Sequence, residues 1–410
     1  MTDIEADVDK ELKYIFSTEA IRNQAEHLFL CTMEGRTHFH LIPEKIDDVI
    51  QYIQKVTKEN YPEGNIPFHS RWGHFNVGGV ERLSELESLL EDLSPIEKTK
   101  AKIDLVVISV LLDAGIGPDW SYKEESTGKL WSRSEGLAVM SLRGFEKGFF
   151  SSNPDKPLQV DSEGLLKVTL ANLRALMQEG SNNPVAGISG RLQLIHSLGD
   201  VLKNGNDYFP NQRPGGLVDY LEKTFGKTLK ASQVLETLLY SLNKIWPSRI
   251  ERNGIPLGDV WEHPLLGPKG SWEALVPFHK LSQWLTYSLI EPLVEGGMEI
   301  SGVDQLTALA EYRNGGLLVD LGLVRPKNSD MLNQVFEPSS LLIIEWRALT
   351  IAIFDRLVAQ IRQIENLNSE NFPLAKMLEG GTWHAGRKIA KKLREDGSPP
   401  FKLKSDGTVF

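Results

Sequence analysis

Charged and polar residues that interrupt apolar stretches are the part of this sequence best suited to chemistry. A charge buried in a protein must be paired or used, so such residues mark candidate sites. Glu311, Arg313 and Asn314 form one such group, directly before two glycines. We expect them at the end of a helix over residues 303–313, where the glycine pair stops the helix and allows close approach to the backbone. The alternative is that Glu311 and Arg313 form a solvated helix cap.

A second group follows Phe278. The spacing predicts a helix over residues 277–292, with Pro277 near its start, where a missing N–H costs nothing. Residues four apart share one helix face, so His279 and Gln283 form a polar pair on it. We predict that this face lines a pocket. Its candidate binding and catalytic residues are His279, Lys280, Gln283 and Trp284.

Three further groups combine charge with aromatic rings or close an apolar segment. Their members are Arg71, His74 and Phe75 in the first, Asp113, Asp119 and Trp120 in the second, and Glu135 in the third. The first group either lines the site of a planar or anionic ligand or forms a packed turn. The second closes the apolar segment 101–112, and Asp113 serves either a site or a cap. The third, Glu135, lies near the start of a predicted helix, and the dipole of that helix alone explains a carboxylate there.

One long apolar helix, predicted over residues 339–364, also contains charge. Glu345 and Arg347 lie two residues apart within it. They are either a buried ion pair or side chains that extend along apolar surface to reach water.

The familiar catalytic fingerprints are missing. The sequence has no phosphate-binding P-loop, no GxGxxG after a strand, no HExxH and no GxSxG. Nucleotide hydrolysis, nicotinamide chemistry, zinc proteolysis and esterase chemistry therefore lose their usual support. Histidines concentrate at His38, His40, His69 and His74, but no carboxylate or cysteine at matching spacing completes a metal site. We expect neither a metal nor another cofactor.

Composition sets the class of protein. The chain has 410 residues, is 41% hydrophobic and 24% charged, and has a net charge of -10. This charge gives no general attraction to nucleic acid or to anionic membranes, so we expect neither as a partner. Cys31 is the single cysteine, and the N-terminus lacks the pattern of a signal peptide, so we expect a cytoplasmic protein. The oligomeric state stays open.

Hydrophobic periodicity predicts a mostly α-helical fold with a few short strands. We expect one large helical domain over residues 1–410, built as two lobes with the pocket between them, and an N-terminal extension over residues 1–65. The further predicted helices cover residues 101–112, 162–178, 216–225 and 230–245. For 101–112 a buried strand is the alternative, because periodicity alone does not distinguish the two. The predicted strands cover residues 36–41 and 401–410, the second with a turn at Asp406 and Gly407.

Several of these stretches resemble a known family. The runs LLDAGIGPDWSY, RSEGLAVMSL, RPGGLVDYL, PFHKLSQWLTYSLIEPL, LTALAEYRNGGLLVDLG, EWRALT and GTWHAGRKIA are similar to the uracil catabolism protein 4 family of fungi and bacteria. The likeness extends from about Phe68 to the C-terminus. More distantly, the segment from Phe278 to the glycine pair resembles the queuosine salvage proteins, which are nucleoside N-glycosidases with a helical, DNA-glycosylase-like fold. That family has Asp-Tyr-Arg-Val-Pro-Gln where this chain has Glu-Tyr-Arg-Asn-Gly-Gly.

The resemblance implies a two-lobed, DNA-glycosylase-like fold and a hydrolase of uracil catabolism that breaks an N-ribosidic bond. The implied substrate is ribosylurea or its 5′-phosphate, a small ribonucleoside or ribonucleotide derivative. A carboxylate stabilises the oxocarbenium-like transition state and an acid assists the leaving nitrogen. Glu311 suits the first role, and Asp113, Asp119 or His279 suits the second. Arg71, Lys280 and Arg313 suit a phosphate, and Phe75, Trp120 and Trp284 suit a planar group.

Two other functions stay open from the sequence. One is a non-catalytic nucleotide-binding or regulatory protein of uracil breakdown. The other is a phosphoribosyltransferase, although the pyrophosphate-binding strand and loop of such an enzyme are not evident.

Overall fold

Helices dominate the structure, and every strand is two or three residues long. The computed structural model describes residues 10–113, 115–116, 119–205, 207–246 and 249–404. The prediction of a mostly α-helical fold with a few short strands is confirmed. Residues 10–15 are helical. The α-helices that follow are Thr18–Met33, Ile46–Asn60, Arg71–Phe75, Arg82–Leu89, Pro95–Leu111, Arg133–Glu146, Ser162–Leu166, Leu170–Leu176, Ile188–Asn204, Leu217–Phe225, Ala231–Ser241, Lys280–Glu295, Tyr312–Asp320, Leu341–Glu365, Leu374–Met377 and Trp383–Leu393.

The strands form separate two-stranded ladders rather than one sheet. Four ladders are antiparallel: Phe39–Leu41 with Val324–Pro326, Ser121–Lys123 with Leu130–Ser132, Glu251–Arg252 with Ile255–Pro256, and Val260–Glu262 with Leu275–Pro277. Two are parallel: Thr228–Lys230 with Glu299–Ser301, and Val335–Phe336 with Lys402–Leu403. Both predicted strands exist in shortened form. The predicted turn at Asp406 and Gly407 lies outside the described residues.

The chain forms two compact units, each assembled from separate stretches. The first unit contains the residues up to His69, Arg249–Gln283 and Gly302–Lys404, and the second contains Ser70–Ser248 and Trp284–Ser301. No helix among the described residues is both long and apolar enough to cross a membrane.

The core of the first unit is the Leu341–Glu365 helix, which packs along the Thr18–Met33 helix. Its residues from Leu342 to Phe354 are all buried, as expected of a helix that is apolar on every side. Glu345 and Arg347 are buried within it, but they do not pair with each other. Glu345 binds His38 and His263, and Arg347 binds Asp259. Both sequence interpretations of these two residues were therefore wrong.

The core of the second unit is the Pro95–Leu111 helix. Ser94 caps its N-terminus by accepting a hydrogen bond from the Glu97 N–H, and Pro95 takes the first helical position. The helix is buried continuously from Thr99 to Leu111 and packs on the Arg133–Glu146 helix. The predicted helix over residues 101–112 is thus confirmed with an earlier start.

Two predicted helices differ more strongly from the structure. The segment 162–178 forms two short helices, Ser162–Leu166 and Leu170–Leu176. Thr169 and Asn172 form a capping box at the start of the second helix, so one continuous helix does not form. The segment 277–292 becomes the Lys280–Glu295 helix. Pro277 belongs to the strand Leu275–Pro277 rather than to the helix start, and His279 takes a left-handed φ of 46° between strand and helix.

The third difference concerns the helix over residues 303–313, which does not exist as predicted. Residues Val303–Gln305 form one 3₁₀ turn, and the α-helix begins only at Tyr312. Glu311 therefore precedes a helix instead of ending one. The glycines Gly315 and Gly316 lie inside the Tyr312–Asp320 helix and do not terminate it.

A buried ion pair holds the RPGG motif against the core helix of the second unit. Asp104 is fully buried, and its carboxylate pairs with the Arg213 guanidinium at 2.7 Å. It also accepts hydrogen bonds from the N–H groups of Val160 and Gly215. Burial raises the pKa of Asp104 to about 6, although Arg213 and both N–H groups lower it.

We expect Arg213→Ala to destabilise the protein by about 3–5 kcal/mol, because the change leaves Asp104 buried without its cation. The folded pKa of Asp104 exceeds the ordinary 3.8, so the folded state binds this proton more tightly and ionisation costs stability as the pH rises through about 6. The stability lost in Arg213→Ala should therefore be larger at about pH 7.5 than at about pH 5. Urea denaturation at both pH values measures it. Lys227→Ala, which removes an exposed ion pair with Glu222, should show no such loss. An equal loss in the two variants would contradict this prediction.

Candidate functional site

Glu311 is the N-cap of the Tyr312–Asp320 helix. Its backbone is extended, with φ −120° and ψ 165°, and its two carboxylate oxygens accept hydrogen bonds from backbone N–H groups. One bond comes from Arg313 at 2.6 Å and the other from Asn314 at 2.7 Å. The first-turn N–H groups of a helix have no partner within the helix, so a carboxylate here satisfies two of them. Glu311 is therefore a cap, but a buried one, with 9% of its surface exposed.

The charge of this carboxylate is set by opposing influences. Burial raises the pKa of Glu311, whereas the two backbone N–H groups and the cations Lys280 and Arg313 lower it. The net pKa is above the usual value for glutamate. Arg313 donates to the Gly397 carbonyl at 2.7 Å, and its guanidinium lies 5.2 Å from the centre of the Tyr312 ring. The structure thus brings three predicted site residues, Glu311, Lys280 and Arg313, into one electrostatic environment.

Close packing holds the start of this helix in place. A Cβ at Gly315 would lie 2.7 Å from Trp346 Nε1 and from Thr350 Oγ1, so only glycine allows this contact with the Leu341–Glu365 helix. Asn314 is fully buried, donates to the Leu309 carbonyl at 3.1 Å and accepts from Thr382 Oγ1 at 3.0 Å. Both the Nδ2 and the Oδ1 of Asn314 therefore help to position the first turn of the helix.

His279 lies in a second charged group of the first unit, around Asp259. Both terminal nitrogens of Arg347 donate to the Asp259 carboxylate at 2.7 Å, and Arg347 Nε donates to the Ala310 carbonyl beside Glu311. Burial raises the pKa of Asp259, but Arg347 outweighs it and brings the net pKa well below its usual range. His279 Nε2 lies 3.0 Å from the Ile15 carbonyl, which can only accept, so this nitrogen carries the proton.

Burial lowers the pKa of His279. A neutral imidazole that already donates its Nε2 proton to a carbonyl is a poor general acid. Its geometry suits it to fixing the loop that precedes the Lys280–Glu295 helix.

In the second unit, four other predicted site residues gather around Arg71, which is fully buried. Its guanidinium donates to Ser109 Oγ at 2.7 Å and to Ser134 Oγ at 3.1 Å, and it lies 3.3 Å from Asp113 Oδ1. Asp113 Oδ2 accepts from Ser134 Oγ at 2.7 Å. The remaining members are His74, 3.3 Å from Arg71, Trp284, whose ring centre is 5.2 Å from the guanidinium, and Glu135, whose charge acts on Arg71.

The other predicted residues have separate surroundings. Phe75 is buried beside Trp72, with ring centres 5.6 Å apart. Trp120 is buried and donates from Nε1 to the Met177 carbonyl at 2.8 Å. Asp119 is exposed. The roles assigned to all these residues from the sequence, including shared participation in one pocket, stay predictions.

Sequence reasoning missed a third charged group, centred on Glu379. This residue lies on a π-helix, Leu378–Thr382, between the Leu374–Met377 and Trp383–Leu393 helices. Its carboxylate accepts from Tyr61 Oη at 2.8 Å and from His69 Nδ1 at 2.7 Å, and His384 Nε2 lies 3.6 Å away. Burial raises the pKa of Glu379, but the two histidines outweigh it, and the net pKa lies below the usual range.

The π-helix is held by contacts that need glycine. A Cβ at Gly381 would lie 2.5 Å from Ile53 Cγ2 and 2.8 Å from Thr57 Oγ1. Single π-turns within helices are rare and are frequent at functional sites. The pair of glycines before Trp383 and His384 was the available sequence signal. It could not have revealed the partners, because His69 is 310 residues away along the chain.

Comparison with known proteins places the chain in a family. The family model described as "Protein of unknown function (DUF1688)" matches residues 14–410. The chain belongs to this DUF1688 family. Protein urg3 of Schizosaccharomyces pombe is 42% identical to it over 377 residues, which cover 90% of each protein. Uracil catabolism protein 4 of Lachancea kluyveri is 35% identical over 443 residues, which cover 98% of this chain and 100% of that protein.

The resemblance to the uracil catabolism protein 4 family is thereby confirmed for this DUF1688 protein. The more distant likeness to the queuosine salvage proteins, and the DNA-glycosylase-like fold that it implies, stay predictions.

We expect Glu379→Gln to destabilise this DUF1688 protein by about 2–4 kcal/mol at neutral pH, because a buried histidine loses its charged acceptor. A carboxylate whose folded pKa lies below its unfolded value of 4.5 contributes stability that is present above that pH and is lost as the pH falls. The difference from the parent should therefore narrow below about pH 4.5. Urea denaturation midpoints across this pH range test it. The control is Glu337→Gln, which changes an exposed pair with Lys404 and should have no measurable effect; a difference that does not depend on pH would contradict the assignment.

Proposed function

We propose that this protein acts in uracil catabolism as an N-glycosidase that hydrolyses ribosylurea or its 5′-phosphate. The full-length similarity to Uracil catabolism protein 4 of Lachancea kluyveri supports the pathway. The chemistry is supported by the arrangement around Glu311, described above, and by the likeness of this segment to nucleoside N-glycosidases.

The observation that carries the proposal is the fixed, buried carboxylate of Glu311. Two backbone N–H groups hold its oxygens, and Lys280 and Arg313 favour its charged form against burial. An ionised carboxylate has about four lone-pair sites, so the two backbone bonds leave others for a substrate or a water molecule. A preorganised negative charge in a site with little solvent stabilises a developing oxocarbenium ion more strongly than the same charge in water.

The reaction balances without a cofactor. The bond between C1 of the ribose and the urea nitrogen breaks, and its electron pair stays on nitrogen. Glu311 takes one proton from a water molecule while the oxygen of that water bonds to C1. One proton is delivered to the urea nitrogen, so ribosylurea and water give ribose and urea.

The sequence offers three candidates for the acid that assists the leaving nitrogen. His279 is the weakest of the three predicted acids, because it is neutral and donates to a carbonyl. Asp113 and Asp119 belong to the second unit, where Asp113 is paired with Arg71 and Asp119 is exposed. Both stay predictions from the sequence. Lys280 and Arg313 are the candidate ligands of a 5′-phosphate, because they supply cationic donors beside Glu311.

The direct test incubates the purified full-length protein with ribosylurea, with its 5′-phosphate and with uridine monophosphate. Free urea, free uracil and reducing sugar are then measured separately. Release of urea and reducing sugar in equal amounts supports the proposal, and the preferred substrate identifies the phosphorylation state. Tight binding of a substrate without turnover would favour the non-catalytic binding protein instead.

We expect Glu311→Gln to lower turnover by two or more orders of magnitude, equivalent to about 3 kcal/mol or more in the barrier. Substrate binding should change much less, because the size of the side chain is kept. Glutamine offers one acceptor oxygen where the carboxylate offers two, so we also expect a loss of about 1 kcal/mol in stability from the weaker cap. Steady-state kinetics and thermal unfolding measure the two effects.

A matched control separates the loss of turnover from the loss of stability. Asp161 is also a carboxylate cap, because it accepts from the Gly164 N–H at 2.8 Å at the start of the Ser162–Leu166 helix. Asp161→Asn should lose stability and keep turnover. If Glu311→Gln also keeps near-normal turnover, Glu311 is a structural cap, and Asp113 or Asp119 becomes the next candidate.

The pH dependence provides an independent test. The pKa of Glu311 is raised above the ordinary 4.5, and the reaction requires the ionised form. As the pH is lowered, kcat/KM should therefore begin to fall while the pH is still above 4.5. The rate should recover as the pH rises through that point. A pH–rate profile of the parent, with folding followed by fluorescence, measures it. A constant rate down to pH 4.5 would rule out this carboxylate as the base.

A further inference from the structure

Gln283 is a buried polar side chain of the first unit whose whole amide group is unsatisfied by the described part of the chain. It is fully buried, and neither Oε1 nor Nε2 has a hydrogen-bond partner among the described residues. Its backbone is ordinary, since its N–H donates to the His279 carbonyl at 2.8 Å. On the Lys280–Glu295 helix it lies three residues after Lys280, the cation that acts on Glu311. Residues three apart share a helix face, so the amide lies on the side of the helix that carries Lys280.

A buried amide without partners is costly to the ligand-free protein. Most buried polar side chains in native structures have at least one partner, and an exception calls for an unseen ligand or water. Gln24 provides a comparison within the same unit. It is also buried, but its Nε2 donates to the Glu273 carbonyl at 3.3 Å. Gln24 is thus partly satisfied by the protein itself, whereas Gln283 is not.

We propose that Gln283 reads the carbonyl and N–H edge of the ligand, as a specificity residue for a ureide group; this inference rests on the proposed function in placing the ligand at the Glu311 site. A glutamine amide has one acceptor oxygen and two N–H donors. A ligand that presents a carbonyl beside an N–H on the same side can therefore form two antiparallel hydrogen bonds with it. Nε2 donates to the ligand carbonyl, and Oε1 accepts from the ligand N–H.

This pairing excludes a phosphate. Vicinal ribose hydroxyls can pair with both atoms, because each hydroxyl donates and accepts, and ribose 5-phosphate in the test below probes that pairing. A phosphate dianion has no donor, so it does not satisfy both atoms of the amide. The ureide end of ribosylurea does, and so does the imide edge of an intact pyrimidine ring. The shared chemistry is a carbonyl adjacent to an N–H, and the two sources are distinguished by experiment.

The test uses Gln283→Met, which keeps an unbranched side chain of similar length and removes both polar atoms. Gln283→Leu serves as a second variant in case the first packs poorly, and Gln24→Met is the control. Thermal unfolding without ligand is measured first. Binding of ribosylurea, uridine and ribose 5-phosphate is then measured by isothermal titration calorimetry on the full-length protein.

We expect the ligand-free Gln283→Met protein to be as stable as the parent or more stable, because replacing an unsatisfied buried polar group by an apolar one of the same shape removes a desolvation cost. Its affinity for ribosylurea should fall about tenfold or more, while its affinity for ribose 5-phosphate is unchanged. Uridine distinguishes an open ureide from a closed pyrimidine. A larger loss with ribosylurea than with uridine identifies the ureide, and the opposite order overturns the assignment to a ureide. Gln24→Met should be less stable than the parent and should bind every probe equally well.

Other results would overturn the inference. If Gln283→Met is less stable and binds ribosylurea like the parent, the amide holds a structural water. If the parent binds neither ribosylurea nor uridine, the amide reads neither of these edges, and the hydrolysis assay alone then decides the proposed function. If the parent binds ribosylurea through Gln283 but does not cleave it, the inference holds and the glycosidase proposal fails.

Discussion

The carboxylate of Glu311 is the interaction on which much of the first unit depends. The start of a helix leaves N–H groups that need acceptors, and a buried start cannot use water for this purpose. Glu311 supplies two acceptors from one side chain and so allows the Tyr312–Asp320 helix to begin inside the protein. Asn314, in the first turn of this helix, accepts a hydrogen bond from Thr382 of the π-helix. A local capping bond thereby connects two segments that are far apart in the sequence.

Buried charge recurs throughout the protein and is nearly always paired. Arg82 donates to Glu124 in the second unit at 2.6 Å, and the exposures of both side chains are close to zero. Arg347 with Asp259 and Asp104 with Arg213 follow the same principle. Replacing such pairs by apolar residues is often neutral for stability, whereas removal of one partner is costly. The pairs therefore set which segments come together more than they add stability.

Against this background Gln283 is distinctive, because neither polar atom of its buried amide has a hydrogen-bond partner in the described part of the chain. Most buried polar groups in native proteins have a hydrogen-bond partner, and local inconsistencies of this kind are frequent at functional sites. Glu311 is the complementary case, since two backbone N–H groups of the helix that it caps satisfy its carboxylate. In the proposed function the same carboxylate is also the base.

The sequence by itself determined the fold class, the core helix over residues 339–364 and the family. Apolar residues on all sides of 101–112 and 339–364 require burial, but periodicity left a buried strand open for 101–112, and the structure shows a helix there. The candidate site residues were chosen as polar interruptions of apolar stretches, and their roles stay predictions. Tertiary structure decided that Glu311 begins a helix, because its extended backbone and two N–H partners outweigh the helical period before it. It likewise decided that Glu345 pairs with His38, 307 residues away. Partners of a buried charge are chosen by proximity in space, and no local pattern in one sequence encodes that proximity.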